Sequence, residues 1–126
     1  MSKNEWIKKA DDDLRMADII IEGQNPPSWG VCYHCQQAVE KYLKTFLIEC
    51  GIEFREVHDL KYLWQLCFEA DGSFEEIEQE TKMLNPYSVT TRYPFVSIKE
   101  CTIEEAKKAI EKAKKVKDFI KARLAK

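Results

Sequence analysis

The sequence predicts an all-α fold, an up-and-down bundle of about five helices occupying residues 1–126 as one domain. Three observations lead there. Only four glycines and four prolines occur, and the prolines stand at 26, 27, 86 and 94, so Ser28 to Asn85 runs free of the strongest helix breaker. Apolar residues recur at spacings of three and four, the period of a helix with one face against a core. Ser2-x-x-Glu5, Ser73-x-x-Glu76 and Thr102-x-x-Glu105 each fit a capping box, in which a hydroxyl and a carboxylate satisfy free amides of a first turn.

The expected helices span about 3–22, 29–50, 59–70, 74–85 and 102–125. The first starts after Ser2 and stops at Gly23. The second starts after Pro26-Pro27 and stops at Gly51, a residue suited to a left-handed C-terminal cap. The third opens on His58-Asp59-Leu60 and ends before Gly72; the fourth follows Ser73 and meets Pro86. The fifth carries one stripe of Ile103, Ala106, Ile110, Ala113, Val116, Ile120 and Leu124, so one face packs and the rest is solvated. On a wheel of the second helix, Val31, Cys35, Ala38, Val39, Tyr42, Leu43 and Phe46 form the core face. Opposite them lie Gln36, Gln37, Glu40, Lys41 and Lys44, yet Trp29, Tyr33, Leu47 and Ile48 fall in that polar arc too. Either a neighbouring helix covers these four residues or they form a homodimer interface.

Apolar residues make up 44% of the chain and charged residues 33%, too apolar for disorder and too charged for a membrane protein. No apolar run approaches the roughly 18 residues that span a bilayer, and the early carboxylates are unlike a signal peptide. A cytoplasmic protein with no membrane attachment is expected. The five cysteines, at 32, 35, 50, 67 and 101, are an odd set, which favours free buried thiols over a disulfide framework. Cys32-x-x-Cys35 has no second pair to complete a zinc site, so no metal and no cofactor are expected. The net charge of −2 excludes a globally basic nucleic-acid binder. Ten Lys/Arg against five Asp/Glu in the last 28 residues suit either a solvated helix face or a basic stripe.

Hydrolase and kinase templates find nothing to hold: there is no glycine-rich phosphate loop and no Gly-x-Ser-x-Gly. His58 stands at the start of the third helix near Arg55, where a helix N-terminus and an arginine suit an anion; alternatively His58 or Asp59 caps that helix. Arg92 and Tyr93, in the 87–99 stretch that lacks helical period, combine a forked cation with a stacking ring, as phosphate and base recognition requires. They suit a loop anchor and a hydrophobic lid equally well.

The segments Gln36-Gln37-Ala38-Val39-Glu40-Lys41-Tyr42-Leu43-Lys44, His58-Asp59-Leu60, Leu84-Asn85-Pro86-Tyr87 and Thr91-Arg92-Tyr93-Pro94, in that order, resemble a HEPN domain of the prokaryotic kind encoded beside small nucleotidyltransferases. The resemblance covers nearly the whole chain. It implies a helical bundle, frequent homodimerisation, and nucleotide or RNA binding. Many HEPN proteins are metal-independent ribonucleases with an Arg-x4–6-His motif, but here the one short-range pair is Arg55-x2-His58, and no histidine follows Arg92. No catalytic residue is carried over. The resemblance implies a non-catalytic nucleotide- or RNA-binding protein, partner of a small nucleotidyltransferase in a toxin–antitoxin-like pair; the alternative is a ribonuclease with an atypical site. The expected binding residues are Lys41, Lys44, His58, Arg92 and Tyr93, and the expected dimer interface is Trp29, Tyr33, Leu47 and Ile48.

Overall fold

The computed structural model describes residues 2–87 and 101–124, and within them five α-helices and no strand occur. They are α1 (Lys3–Ile21), α2 (Ser28–Glu49), α3 (Leu60–Ala70), α4 (Glu78–Leu84) and α5 (Ile103–Leu124). In two of the three expected capping boxes the hydroxyl takes its amide. Ser2 Oγ accepts the Glu5 amide at 3.2 Å, and Thr102 Oγ1 accepts the Glu105 amide at 3.1 Å. In each, the hydroxyl also donates back to the glutamate carboxylate.

The third box does not form. Asp71 Oδ1 accepts both the amide and the hydroxyl of Ser73, at 2.9 and 2.6 Å, so the Ser73 side chain has no free role as a helix cap. An Asx turn wins because its carboxylate needs to reach only two residues along the chain. Gly72–Ile77 consequently takes the tighter 3-10 form, and the helix expected at 74–85 is shortened to α4, followed by a 3-10 turn at Asn85–Tyr87. Gly51 alone of the expected stop glycines has left-handed backbone, with φ of 70°.

The central element is α2: 14 of its 22 residues are buried. It packs against α1 along one side and against α5 and α3 on the others. Asp11 of α1 ties three helices together, accepting from Tyr42 Oη of α2 and pairing with Lys121 of α5 at 2.9 Å. Phe74, fully buried, sits between Phe46 and Phe119 with ring centroids 4.6 and 4.8 Å away, which joins the 3-10 turn to α2 and α5. No helix among the described residues is long and apolar enough to cross a membrane.

Two expectations need correction. Leu47 is fully buried inside its own chain and so belongs to the core, not to a face open to a second copy. Past Gly51 the chain doubles back, and the Ile52 amide bonds the Leu47 carbonyl at 2.9 Å, bringing residues 52–54 over the end of α2. The cysteines are not all free either. Packing of the start of α5 on the start of α2 brings Cys101 to Cys32, 69 residues away, and the two are joined as a disulfide. Cys35 and Cys67 are buried free thiols, as expected, while Cys50 is exposed.

This packing sets an expected order of damage. Phe74→Ala should cost about 3–5 kcal/mol of unfolding free energy in urea, because it empties the joint between three elements. Thr102→Ala should cost only about 1 kcal/mol, the worth of one cap. Equal losses would show that the aromatic cluster is not the joint described.

Candidate functional site

Three of the four segments that carry the family resemblance meet at one place, the start of α3. Gln36 of α2 donates from Nε2 to the His58 carbonyl at 3.0 Å. Glu40, one turn along α2, holds His58 Nδ1 at 2.9 Å. From the far side, Asn85 Oδ1 accepts the Leu60 amide at 2.8 Å while its Nδ2 donates to Asp59 at 3.1 Å. Asp59 itself caps α3 by accepting the Lys61 amide at 3.0 Å. The helix start expected to attract an anion is thus already filled by oxygens of this chain: Asp59 caps it, as the local reading allows, and Asn85, remote in sequence, takes the Leu60 amide as well.

The polar arc of α2 is built from two carboxylates with the same dressing. Asp13 of α1 holds the His34 ring on Oδ1 at 2.9 Å and the Lys41 ammonium on Oδ2. Glu40 holds the His58 ring on Oε1 and the Lys44 ammonium on Oε2, at 2.9 and 3.0 Å. Gln37 lies between the two groups, donating to Gln36 at 2.7 Å and more weakly to Glu40 at 3.4 Å. Glu40 and Lys44 are almost wholly buried, and the ammonium sits 5.2 Å from the centroid of the Trp6 ring and 5.9 Å from that of Phe54.

These contacts decide what the expected binding residues can do. Lys44 faces Glu40 and two rings, not solvent, and Lys41 is committed to Asp13; in this arrangement both lysines hold helices together. His58 is the exception, with 61% of its side chain exposed. A carboxylate only accepts, so His58 Nδ1 must carry the proton facing Glu40, which leaves Nε2 of the neutral ring as an acceptor. That nitrogen has no partner among the described residues. Arg92 and Tyr93 lie outside the described residues.

Three residues before His58 in the chain, Arg55 forms a pair with Tyr62 that the sequence reading missed. The Arg55 guanidinium lies 4.4 Å from the centroid of the Tyr62 ring, and the Arg55 amide donates to Tyr62 Oη at 3.1 Å. These bonds, the backbone one first, hold the Tyr62 phenol below its usual range. The pair thus presents an exposed cation stacked on a half-buried ring. Its signal in the sequence was a spacing across a connection of unknown shape, which periodicity cannot resolve. Of the expected interface residues besides Leu47, Trp29 is 53% exposed with its ring 6.4 Å from that of Tyr33, while Tyr33 and Ile48 are half-buried. Among the described residues no group of three or more metal-ligating side chains is arranged to hold an ion.

The buried pair makes a measurable demand. Glu40→Gln keeps the shape but strands the Lys44 ammonium, and is expected to cost about 3–5 kcal/mol in urea unfolding. Adding Lys44→Met should return most of that loss. A single variant as stable as the parent chain would mean that the ion pair is not formed.

The model of the HEPN domain family matches residues 4–123. A protein of Methanocaldococcus jannaschii named "Putative toxin MJ1304" is 29% identical over 133 residues, covering 92% of this chain and 86% of its own length. The crystal structure of ST0689, described as an archaeal HEPN homologue, aligns with a TM-score of 0.76 and 26% identity over 98% of both chains. A match spanning nearly every residue from the first helix to the last settles the family: the chain belongs to the HEPN domain family.

Proposed function

We propose that this chain is a nucleotide- or RNA-binding HEPN protein that acts without catalysis of its own, as one half of a toxin–antitoxin-like pair whose other half is a small nucleotidyltransferase. The observation that carries the binding role is the outward face of the connection before α3. There the exposed His58 ring, fixed by Glu40, stands three residues from Arg55, whose guanidinium stacks on Tyr62. A forked cation, an aromatic face and an imidazole acceptor suit phosphate and base together. Arg92 and Tyr93 remain the sequence-based candidates for the rest of the site. The paired-system reading is supported by the name of the Methanocaldococcus relative and by the resemblance of the motif segments.

Fluorescence anisotropy with labelled single-stranded RNA, and calorimetry with mononucleotides, test the binding role. Arg55→Ala and Arg92→Ala should each weaken binding about tenfold or more, the loss of one charge-assisted contact, with unfolding midpoints unchanged. Absence of binding, or full binding by both variants, refutes the site. The Glu40–His58 hydrogen bond favours one second reading, since a carboxylate-oriented imidazole is also the form of a general base. Incubation of RNA with the protein in EDTA separates the two: intact RNA is expected, and cleavage abolished by His58→Ala would establish the ribonuclease instead.

Self-association through the N-terminal half of α2 belongs to the same proposal. Trp29 is exposed there beside Tyr33, and Met16 and Ile19 of α1 are exposed as well. Light scattering should give twice the 14.8 kDa chain mass, falling to the single mass in Trp29→Glu. A persistent single mass at high concentration overturns the dimer.

A further inference from the structure

Cys32 and Cys101 couple the start of α2 to the residues that lead into α5. Cys32 is fully buried in α2 and Cys101, two residues before α5, is 7% exposed. A second link runs beside the bond, since Ser28 Oγ at the start of α2 donates to the Cys101 carbonyl. The start of α5 is therefore tied to α2 by one covalent and one hydrogen bond at the same corner. The far end of the polar arc, where Gln36 and Glu40 hold His58, has ties of its own that involve neither cysteine.

We propose that the Cys32–Cys101 pair is a redox-sensitive latch that fixes the start of α5 on α2 when oxidised and releases it when reduced. With glutathione disulfide as oxidant, a thiolate of one cysteine attacks a glutathione sulfur and expels one glutathione thiolate. The second cysteine, deprotonated, then attacks the mixed disulfide and expels the other. Two protein thiols and one glutathione disulfide become one protein disulfide and two glutathione thiols, the two protons passing to the leaving thiolates. Reduction is the reverse.

Two features make the pair a latch rather than a site of random exchange. Cys35 stands one turn along α2 from Cys32, but burial pushes its thiol up to about 12, so at neutral pH it supplies almost no thiolate to attack the bond. Burial also raises the thiol of Cys67. The bond therefore exchanges with external thiols and not with its neighbours. Both of its sulfurs belong to buried residues, so an external thiol reaches the bond only in molecules whose surrounding packing has loosened, and the parting of the α5 start from α2 follows the reduction.

Wild-type protein equilibrated with glutathione disulfide, then denatured and alkylated, should show Cys35 and Cys67 alkylated, the exposed Cys50 alkylated or carrying glutathione, and the peptides of Cys32 and Cys101 linked. After native treatment with dithiothreitol all five should be modified. Five alkylated cysteines under oxidising conditions, or a different pairing, would refute the latch. So would a linked pair that resists native dithiothreitol, since it would be a permanent staple. Reduction should lower Tm by roughly 10 °C or more, as expected for opening a long loop in a chain of this size. Cys32→Ser and Cys101→Ser should sit near the reduced value and ignore the reductant. Hydrogen exchange on wild-type protein supplies the local readout: in the reduced form, amides of the first turns of α5 should exchange faster while those at the start of α3 keep their rate. A uniform change, or none, would refute local release.

Discussion

Glu40 is a carboxylate with 3% of its side chain exposed, in the middle of the most buried helix of the bundle. Leaving such a charge unpaired costs several kcal/mol, so the surrounding chain is obliged to bring donors to it. Lys44 comes from one turn along the same helix and costs no architecture. His58 comes from another segment, and by answering Glu40 it fixes where the chain crosses α2 before α3 begins. Gln36 secures the same crossing through the His58 carbonyl. The position of α3, and through Asn85 the approach of the 3-10 turn after α4, follows from neutralising one side chain.

Asp13 solves the same problem with the same groups and a different outcome. Its histidine, His34, lies on α2 with 19% of its side chain exposed and packs edge-on against Tyr33 at 5.4 Å. The Glu40 histidine enters from a connection and stays mostly in solvent. Identical first contacts thus yield a structural joint in one place and an accessible imidazole in the other. What separates them is whether the histidine belongs to a packed helix face or to the chain between helices, a distinction visible only once the fold is known.

The helical class and the approximate spans of α1, α2, α3 and α5 were legible in the sequence because they rest on local signals: proline placement, apolar period, and Ser2 and Thr102 as caps. Local signals failed where a competing local bond was stronger, as when Asp71 captured Ser73. They also failed wherever the partner was remote. Nothing in the residues around Leu47 announced that its side chain would be fully buried within the chain, and nothing near Cys32 pointed to Cys101. For the site, the sequence picked out His58 and the lysines of α2, and the structure places all three around Glu40 and Asp13. The sequence reading misjudged Lys44 as available because a helical wheel assigns a polar side chain to solvent, while here Trp6 and Phe54 enclose its ammonium. Asn85 was noticed as part of a motif, but its role as a cap depends on a contact across 25 residues.

That cap has a consequence for how the molecule assembles. The first amide of α3 is satisfied by a side chain that arrives only after α4 has been made and folded back. Until then α3, 11 residues long, has an open first position and is shorter than helices that persist alone in water. Its formation is therefore coupled to the docking of the segment that follows it, so that α3, the 3-10 turn and α4 behave as one cooperative unit. The long α1–α2 hairpin does not depend on that contact, and the accessible imidazole stands at the seam between the hairpin and the unit.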